Sequence, residues 1–592
     1  MENLSFNIAT KNGTGSLSAN QLLTKILFRA GWAVGSYNFF PSNIAGLPCL
    51  YNLRLNSKGY TGFTSPVDVL ITLNPKTLED DLKELKSGGL LVSDEKDKFY
   101  VEALGDIKAT HWSLPITNSL REVRDISPKQ RILFKNMIYV GLICEWLKVE
   151  KNLIKKTVTD FFSNEQEIVE KNLEVFELAY KLAIDYKFPF KILNKIKNKK
   201  EILIDGNTSS ALGALSAGCQ FVSWYPITPA SSLAESFEKI ANKYYTDSKG
   251  KRKFVILQSE DELASISQVI GAGWAGIRAM TVTSGPGLSL MAEGAGLSYF
   301  SEIPAVLYNV QRAGPSTGLP TRTQQGDLLS SCFLSHGGCK HLVLFPANPK
   351  EAFDLTAQAF DLAEELQTLV IVLSDLDLGM NLKMSDSFQI SKNPLKRGKV
   401  LKESDFKKAD FLAYKDEGDG ISYRTLPGIK HPKGAYLNRG SGHNERAEYS
   451  ERHQDYSWKL EKLNRKWETA KKKMPFSVIE TSIKSKLAFV TFGPNTDSLK
   501  ELRDYLLEEK NIFSNFLRVR SFPFPQDVES FLNKQEEIFV VEQNKDAQLK
   551  RLLSEEFPKH SAKMKSILQY DGRPLMFSHL EKQFKKIYFD KD

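Results

Sequence analysis

Short apolar runs alternate with helical segments between residues 201 and 385, and this alternation constrains the fold more than any other feature. Four runs have the length and composition of buried strands, at 219–224, 254–257, 279–283 and 306–310. Strands and helices that alternate in this way form a mostly parallel sheet with helices on both faces. The sequence therefore predicts an α/β fold, in which ligands bind in the crevice outside the carboxyl ends of the strands.

A stiff loop follows the first of these strands. Its sequence is Tyr225-Pro226-Ile227-Thr228-Pro229, and each proline fixes its own φ and pushes the preceding residue towards extended geometry. We expect the Thr228 hydroxyl to be held at the sheet edge where ligands bind. The alternative is an ordinary rigid turn before a helix that begins at about Ser231.

Three acidic residues follow the second strand, within Gln258-Ser259-Glu260-Asp261-Glu262. Ser259 and Glu262 have the spacing of a capping box, which would put Glu260 and Asp261 in the first helical turn, where the helix dipole favours carboxylates. Helix capping alone can thus explain all three acids. The helix continues into a segment rich in glycine and alanine, 269–277, which is costly unless another backbone or a ligand lies against it.

Composition argues against several classes of protein. The 592 residues correspond to roughly four domains, and the hydrophobic content of 41% is sufficient for ordinary cores. A net charge of +9 spread over lysine-rich segments is a poor basis for nucleic-acid binding. We find no apolar run long enough to span a membrane and no signal-peptide pattern. Five cysteines without a C-x-x-C pair predict neither disulfides nor an iron–sulfur site, and they fit a reducing cytoplasm.

Residues 1–190 are predicted to form a first α/β unit. A glycine turn at 13–16 joins a strand to a helix, but Ser18 stands where a dinucleotide fingerprint has its third glycine. No acidic residue lies between Glu2 and Asp68, so the carboxylate that would bind a ribose is missing and no NAD site is predicted. Periodicity predicts strands at 4–9, 68–73 and 88–93, a helix at 19–30, helices within 126–190, and a linker helix in the basic tract 187–200.

The last two hundred residues divide by composition. Residues 386–480 are rich in charged residues, glycine, histidine and tyrosine, with a helix predicted at 455–473. Residues 481–592 return to α/β alternation. We expect three histidines of the first part at the surface or at an interface, and we predict three strands in the second: His431, His443 and His453, and 487–493, 516–520 and 538–544.

Two further groups could bind ligands but are interpreted structurally. Gly285-Pro286-Gly287 opens a helix, where backbone N–H groups can hold phosphate. No lysine or metal-binding residue completes such a site, so close packing explains the glycines better. A second group is crowded in sequence, but its spacing is irregular for structural zinc and no metal site is predicted. Its members are Cys332, His336, Cys339 and His341.

Five long stretches together carry a family resemblance that covers nearly the whole chain. They are GNTSSALGALSAGC (206–219), YPITPASSLAE (225–235), QSEDELASISQVIGAGWAG (258–276), TSGPGLSLMAEGAGL (283–297) and QRAGPSTGLPTRTQQGDL (311–328). In this order they resemble the alpha subunit of 2-oxoacid:ferredoxin oxidoreductases, in the form with a gamma domain fused at the N-terminus. Several motifs in the right order are more specific than any one of them.

The resemblance implies a multidomain α/β fold. It divides the chain into a gamma domain at 1–190, a thiamine diphosphate-binding domain of the pyrimidine type at 199–385, a charged connecting arm at 386–480, and a transketolase C-terminal-like domain at 481–592. Phe40–Pro48 resembles a loop of the gamma domain. Gly418-Asp419-Gly420 has the start of a thiamine diphosphate motif without a preceding strand, and the resemblance assigns it to the arm. Gly338 and Ala547 depart from the family pattern, which has an acidic residue and a glycine there.

The resemblance also implies an activity and partners. The reaction would be oxidative decarboxylation of a 2-oxo acid, with 2-oxoglutarate as the expected substrate and coenzyme A as co-substrate. Thiamine diphosphate would be shared with a beta subunit, which also holds Mg²⁺ and a [4Fe–4S] cluster and passes electrons to ferredoxin. We expect an (alpha-beta)₂ heterotetramer or an alpha-beta heterodimer. The alternatives are a subunit that acts on pyruvate or another 2-oxo acid, and a non-catalytic scaffolding subunit.

Site residues follow from the same resemblance. Tyr225, Pro226, Ile227, Thr228 and Pro229 would bind the cofactor together with Glu260, the expected catalytic residue, whose pKa burial against the cofactor should raise. The 1-carboxylate of the substrate would be held by Arg312 together with Thr228 and Thr321. Arg312 is predicted just past the strand 306–310, at the same sheet edge as Thr228. Arg322 is a nearby rival for its role.

Overall fold

The computed structural model describes residues 2–41, 46–97, 108–163, 165–196, 200, 202–390, 394–407 and 411–589. Within these residues, three larger β-sheets and one two-stranded sheet form the framework. Residues 42–45 of the loop Phe40–Pro48 and residues 197–199 of the basic tract lie outside the described residues.

The first sheet is built from the N-terminal residues. Its strands are β1 (Asn3–Lys11), β2 (Ala33–Phe39), β3 (Pro48–Asn56), β4 (Val67–Thr72), β5 (Leu85–Asp94) and β6 (Thr110–Leu114). The accompanying helices are α1 (Ser16–Arg29), α2 (Leu78–Lys83), α3 (Ile116–Ser119), α4 (Pro128–Trp146), α5 (Lys151–Phe161) and α6 (Gln166–Ile184). The strand order is β2-β3-β1-β4-β5-β6, with β1 antiparallel to β3 and parallel to β4. The predicted elements up to residue 184 are thereby confirmed.

The predicted linker helix at 187–200 is wrong for the described part of that tract. Residues 187–196 have no regular secondary structure. Trp32 donates its indole N–H to the Leu193 carbonyl at 3.1 Å, and the side chain of Lys195 lies over the Trp32 ring. Pro189 disfavours a helix here, and the apolar residues of the tract pack on the first unit instead of lining one helix face.

The central residues supply the next set of elements. The strands are β7 (Ile202–Ile204), β8 (Phe221–Trp224), β9 (Val255–Gln258), β10 (Ala279–Thr283), β11 (Ala305–Gln311), β12 (Leu342–Leu344), β13 (Leu369–Asp375) and β14 (Lys383–Ser385). The helices are α7 (Gly206–Ser216), α8 (Ser231–Tyr244), α9 (Glu262–Trp274), α10 (Gly285–Leu290), α11 (Ala292–Ser301), α12 (Leu328–Cys332), α13 (Pro349–Leu366) and α14 (Leu376–Met380). β7 and β14 form the two-stranded antiparallel sheet.

The arm and the C-terminal residues complete the chain. The arm contains α15 (His453–Lys471), close to the helix predicted at 455–473. The later strands are β15 (Val478–Glu480), β16 (Leu487–Phe492), β17 (Asn515–Val519), β18 (Ser521–Phe522), β19 (Glu537–Glu542) and β20 (Met564–Leu568). The later helices are α16 (Thr496–Lys510), α17 (Gln526–Leu532), α18 (Gln548–Glu556) and α19 (Phe577–Tyr588). Short 3₁₀ helices occur at Pro75–Thr77, Glu403–Lys407, Pro432–Gly434, Gly493–Asn495 and Pro558–Lys563.

The central sheet has the strand order β18-β12-β13-β11-β10-β8-β9. Its strands are parallel except β18, which pairs antiparallel with β12. The C-terminal sheet has the order β15-β17-β16-β19-β20 and is parallel from β17 to β20. The predicted parallel α/β architecture is confirmed, and β18 shows that a strand from beyond residue 481 completes the central sheet.

Hydrophobic cores follow this arrangement. One cluster of buried side chains is continuous from the central sheet into the C-terminal sheet, and includes Val306, Val372, Val490 and Val540. The N-terminal sheet and its helices bury a separate cluster. The C-terminal part is therefore anchored to the central sheet through shared apolar contacts. Burial of apolar surface contributes roughly 25 cal/mol of stabilising free energy per Å².

Close backbone packing explains part of the glycine-rich segment 269–277. A Cβ atom built on Gly273 of α9 would lie 2.0 Å from the Pro304 carbonyl oxygen, so only glycine allows this approach. Gly271 has no neighbour within 4 Å of such an atom and is exposed. One side of α9 thus packs on its own chain, and the other side is open.

Two local expectations about the C-terminal half have different outcomes. Ala547 adopts φ 50° and ψ 49° at the start of α18, a left-handed conformation that favours glycine, so the family's glycine suits the turn better. His443 is buried, 2% exposed, with its ring tilted against Tyr414 and edge-on to Phe300 of α11. Of the two expected positions, the surface is therefore wrong, and His443 lies between the arm and the central part. His431 is half-buried and His453 is exposed.

No helix of the described residues is long and apolar enough to cross a membrane.

Candidate active site

Four parallel strands end side by side at one edge of the central sheet. Trp224 of β8 pairs with Gln258 of β9, and Thr283 of β10 pairs with Asn309 of β11. The loop Tyr225–Pro229, Glu260, Gly285 and Arg312 follow these strand ends directly. The predicted site residues therefore share the crevice in which open α/β sheets bind ligands.

The loop after β8 is fixed by hydrogen bonds from the flanking helices. The backbone N–H of Ile227 donates to the Ser231 hydroxyl at 3.0 Å, and Asn207 donates its side-chain amide to the Pro229 carbonyl at 2.9 Å. Tyr225 is exposed, whereas Thr228 is half-buried. A rigid backbone at this position presents the carbonyl and side chain of Thr228 in a defined place.

Arg312 and Thr228 meet at this edge. The Arg312 guanidinium donates through Nη1 to the Thr228 carbonyl oxygen at 2.7 Å. Arg312 is only 7% exposed, burial lowers its pKa, and its Nε has no hydrogen-bond partner among the described residues. A buried cation with unused donors is unfavourable unless an anion joins it. The geometry thus leaves Arg312 available for a carboxylate.

Thr321 lies in a loop that returns to Arg312. The backbone N–H of Ala313 donates to the Arg322 carbonyl at 2.9 Å, so the two ends of the loop are neighbours. Thr321 is buried, and its hydroxyl accepts a hydrogen bond from Arg322 Nη1 at 3.2 Å. The sequence prediction put the Thr321 hydroxyl beside Arg312; the contact that the structure shows for this hydroxyl is with Arg322.

Glu260 precedes helix α9, and the predicted capping box is wrong. The N-cap is Asp261, whose Oδ1 accepts from the Ala264 N–H at 2.7 Å. The Ser259 hydroxyl bonds instead to Ser223 and Gln268, at 2.7 and 2.9 Å, because β8 lies beside it. Aspartate is as good a cap as serine. Glu260 is therefore outside the helix, with its side chain exposed and unpaired among the described residues.

The glycines at the end of β10 are explained by packing. A Cβ on Gly287 would lie 2.7 Å from Glu262 Oε1, and Glu262 is buried. A Cβ on Gly285 would lie 3.3 Å from a carboxylate oxygen of Asp327. Both glycines thus let carboxylates approach the sheet edge, in keeping with the packing interpretation.

Asp327 is a crevice residue that sequence reasoning did not single out. Its carboxylate accepts from the Asn309 amide at 3.0 Å, and its backbone N–H donates to Gln311 at 3.0 Å. Burial raises its pKa, although Asn309 and the charge of Arg312 oppose this. Its position depends on pairing with β11, a strand 16 residues or more away in sequence, and no local pattern carries that information.

The cysteines and histidines after β11 have separate environments. Cys332 is buried and His336 is exposed. His341 shares a hydrogen bond with the Leu334 carbonyl at 2.7 Å, and burial lowers its pKa to about 4. Among the described residues no group of three potential ligands could hold a metal ion.

Two family models match the chain. The family described as pyruvate flavodoxin/ferredoxin oxidoreductase, thiamine diphosphate-binding, matches residues 212–465. The family described as pyruvate ferredoxin/flavodoxin oxidoreductase matches residues 5–182. Together they cover the crevice, the arm and the N-terminal unit.

Individual relatives match over longer spans. The alpha subunit of 2-oxoacid:ferredoxin oxidoreductase 2 from Aeropyrum pernix is 31% identical, over 97% of this chain and 96% of its own. The 2-oxoglutarate synthase subunit KorA from Archaeoglobus fulgidus is 36% identical, over 57% of this chain and 86% of its own.

A solved structure has the same fold over nearly the full length. It is a 2-oxoglutarate:ferredoxin oxidoreductase from Magnetococcus marinus with 2-oxoglutarate, coenzyme A and succinyl-CoA bound. It aligns with a TM-score of 0.87 and 26% identity, over 99% of both chains. With the full-length relative above, this match shows that the chain belongs to the 2-oxoacid:ferredoxin oxidoreductases, as an alpha subunit.

Proposed function

We propose that this subunit forms part of an enzyme that oxidatively decarboxylates 2-oxoglutarate. A 2-oxo acid and coenzyme A give acyl-CoA and carbon dioxide, and two electrons leave through an iron–sulfur cluster on the beta partner to ferredoxin. The observation that carries the proposal is Arg312, which is buried at the sheet edge beside Thr228. Its Nε has no hydrogen-bond partner, and it forms no ion pair among the described residues, although the charge of Asp327 acts on it. An arginine fork in this setting suits the 1-carboxylate of a 2-oxo acid.

Thiamine diphosphate is the cofactor that fits the crevice, because its ylid supplies the carbanion chemistry of decarboxylation. The loop Tyr225–Pro229 offers a rigid wall, and Glu260 offers an exposed carboxyl that no described residue engages. We assign Glu260 to the pyrimidine ring of the cofactor, with a hydrogen bond to N1′. The diphosphate and its Mg²⁺ are assigned to the partner, since the carboxylates of Asp327 and Glu262 pack against Gly285 and Gly287.

The partner is assigned to the outer face of α9, which we define as Leu263, Ser267, Gly271 and Trp274. All four residues are exposed, and none is charged. A helix with an uncharged outer face, opposite a core face on which Glu262 is the one charged residue, is typical of burial on both sides. The outer face begins three residues after Glu260, so a beta subunit that covers it would also enclose the cofactor site.

Support for 2-oxoglutarate over pyruvate comes from the relatives. The KorA relative is named for 2-oxoglutarate synthesis, and the Magnetococcus marinus structure contains 2-oxoglutarate and succinyl-CoA. Pyruvate remains the second candidate because both matching family models carry pyruvate in their descriptions. Both substrates need the same pocket for the 1-carboxylate.

The test is a substrate panel on the co-purified complex. The chain is co-expressed with its beta subunit, and reduction of a viologen dye is followed with coenzyme A and each of several 2-oxo acids. We expect the highest kcat/KM for 2-oxoglutarate. A higher kcat/KM for pyruvate would overturn the substrate, and no dye reduction with any 2-oxo acid would overturn the proposed function.

A further inference from the structure

Arg322 lies where three parts of the chain meet. Its Nη1 donates to the Phe40 carbonyl of the N-terminal unit at 3.3 Å, and to the carbonyl and hydroxyl of Thr321 at 2.9 and 3.2 Å. The guanidinium also lies 5.5 Å from the centroid of the Phe39 ring. From the C-terminal part, Gly572 approaches closely, since a Cβ there would lie 3.0 Å from Arg322 Cβ.

The acceptors around Arg322 are all neutral. Among the described residues no carboxylate forms an ion pair with it. Burial, together with the charge of a second guanidinium, Arg573, lowers the Arg322 pKa. Arg573 has its own partner, Glu84, at 3.1 Å. Arg322 is thus a half-buried cation with unused donors next to a second cation, an arrangement that an anion would stabilise.

A cavity lies beside two neighbours of Arg322, Phe40 and Cys49. It has a volume of about 470 Å³, and Asp205, Ser232 and Ser236 also line it. Cys49 is close enough for the Arg322 charge to act on its thiol. Helix α8 follows the loop that holds Thr228, so the cavity lies between the N-terminal unit and the helix that begins after this loop.

The two arginines are neighbours in the backbone but point apart. The hydrogen bond from Ala313 to Arg322 brings their main chains together. Arg312 reaches the Thr228 carbonyl, whereas Arg322 reaches the Phe40 carbonyl. Two cations at different places along one site can hold two anionic groups, and a single carboxylate needs only one of them.

We propose that Arg322 binds a second anionic group, separate from the 1-carboxylate that Arg312 holds, and so determines specificity. This inference rests on the proposed function. The expected source is the distal carboxylate of a dicarboxylic 2-oxo acid; a phosphate of coenzyme A offers the same chemistry. Monocarboxylic 2-oxo acids lack such a group and would make no use of Arg322.

The experiment uses the co-purified complex with Arg322→Gln, Arg322→Lys and the control Arg439→Gln. Arg439 is half-buried and donates Nε to a neutral acceptor, the Ala447 carbonyl at 2.9 Å, in the arm. We expect Arg322→Gln to raise the KM for 2-oxoglutarate at least about tenfold, with the KM for 2-oxobutyrate changed less than about twofold. Arg322→Lys should recover part of the loss, because it restores the charge without the fork, and Arg439→Gln should match wild type.

Each other outcome is decisive. A rise confined to the KM for coenzyme A, with every 2-oxo acid, identifies the second anion as a phosphate. Unchanged KM values for all substrates, or an equal rise for 2-oxoglutarate and 2-oxobutyrate, overturn the inference, and turnover of 2-oxobutyrate by the variant shows that it is folded and assembled. If the wild-type complex turns over no 2-oxo acid, the proposed function fails by itself. Calorimetric titration of 2-oxoglutarate and coenzyme A into both complexes then decides the role of Arg322.

Discussion

Glu260 is exposed and unpaired among the described residues, although it lies between two well-ordered elements, β9 and α9. A carboxyl that hydrogen-bonds a pyrimidine nitrogen must donate a proton, and glutamine cannot reproduce that acid–base role. We therefore predict that Glu260→Gln in the assembled complex loses about 10²- to 10⁴-fold in kcat, the usual contribution of a general acid or base. Steady-state dye reduction at saturating 2-oxo acid measures it.

The matched control is Glu235→Gln, an exposed glutamate of α8. If Glu260 is only a carboxylate near the start of α9, Glu260→Gln and Glu235→Gln would each change the free energy of unfolding by less than about 1 kcal/mol and leave activity intact. Near-normal kcat in Glu260→Gln, with unchanged thermal melting, would reject the catalytic assignment.

Arg312 presents a different kind of test, because in its proposed role the fork would serve two acceptors at once. Nη1 is already bonded to the Thr228 carbonyl, and Nε has no hydrogen-bond partner among the described residues. Lysine cannot hold the carbonyl and a carboxylate in the same bidentate way. We predict that Arg312→Lys lowers kcat/KM at least about tenfold, or about 1.4 kcal/mol, for every 2-oxo acid. Wild-type behaviour here, with a general loss in Arg322→Lys, would transfer the 1-carboxylate to Arg322.

Whether a residue's environment could be predicted depends mostly on how far apart in sequence the interacting residues are. The rigid loop at Thr228 follows from its prolines, which act locally. The proximity of Arg312, 84 residues away, could still be predicted because parallel strands end at the same edge of the sheet. The capping box failed because Ser223, on a neighbouring strand, competes for the Ser259 hydroxyl. The environments of Asp327 and Arg322 could not be predicted, since Asn309 and Phe40 reach them only through tertiary contacts.

At the scale of elements, helix α9 has a core face and an uncharged outer face. Leu263 and Trp274 on the outer face are 48% and 41% exposed, so a charge there should be tolerated in the free subunit and costly in an interface. We predict that Leu263→Glu folds normally but fails to co-purify with the beta subunit, because burying an unpaired carboxylate costs several kcal/mol. Size-exclusion chromatography of the co-expressed subunits measures it.

Leu507→Glu is the matched control for this surface. Leu507 is 43% exposed and lies on α16 in the C-terminal part. Normal assembly of Leu507→Glu together with lost assembly of Leu263→Glu would locate the interface at α9. Assembly of both variants would show that the beta subunit binds elsewhere.

Helix α15 is held to the central part by a buried charge cluster. Glu302, at the end of α11, pairs with Lys459 and Lys462 at 2.5 Å and also with Lys466. All four side chains are 7% exposed or less. Although burial alone would raise it, the three ammonium groups hold the Glu302 pKa well below its usual value. We predict that Glu302→Gln costs about 3–5 kcal/mol of unfolding free energy, since it leaves buried charges uncompensated.

Unlike Glu302→Gln, Lys459→Met removes a charge of the sign that is in excess, because the cluster has more cations than anions. Burial, together with repulsion from Lys462 and Lys466, lowers the Lys459 pKa to about 7, although Glu302 opposes the shift. Between about pH 7 and the ordinary lysine pKa, the unfolded chain therefore binds more protons at this position, and stability rises with pH. Wild type should gain stability relative to Lys459→Met from pH 7 to pH 9 in urea unfolding. A gap that is constant with pH would contradict this.

The predicted strands overlap observed strands in all three sheets, because periodicity is strong in these segments. In these sheets, eight further strands of the described residues were not predicted: β2, β3, β6, β12, β13, β15, β18 and β20. The role of α15 could not be predicted either, since Lys459, Lys462 and Lys466 recur at the spacing of one helix face, a pattern that usually indicates solvent exposure. Their burial depends on Glu302, 157 residues before the first of them. The same holds for β18, whose two residues pair with β12, a strand far from them in sequence.

At the scale of the whole molecule, polar contacts join the parts around the crevice. Gln325, in the loop after Thr321, accepts hydrogen bonds from Asn495 and from the Gln543 backbone, at 2.9 and 3.2 Å. Arg54 of the first sheet pairs with Glu501 of α16 at 2.6 Å, and the Arg54 side chain is 4% exposed. Because buried, satisfied polar contacts fix relative orientation, the N-terminal unit and the C-terminal sheet hold fixed positions beside the central sheet edge.

A rigid subunit that leaves Glu260 and the outer face of α9 open should depend on its partner for chemistry. Its five cysteines are separate and buried, and thiolates in such positions do not assemble a cluster. We predict three properties of the chain purified alone. It binds thiamine diphosphate weakly in calorimetry, it shows no iron–sulfur absorption band at about 400 nm, and it reduces no viologen dye. The co-expressed complex, prepared and assayed in parallel, should bind thiamine diphosphate more tightly, show the absorption band and reduce the dye, because the partner would supply the diphosphate site, the cluster and the second wall of the crevice. Turnover by the pure single chain would contradict the assignment of the diphosphate site and the cluster to the partner, since a complete active site would then lie within this subunit.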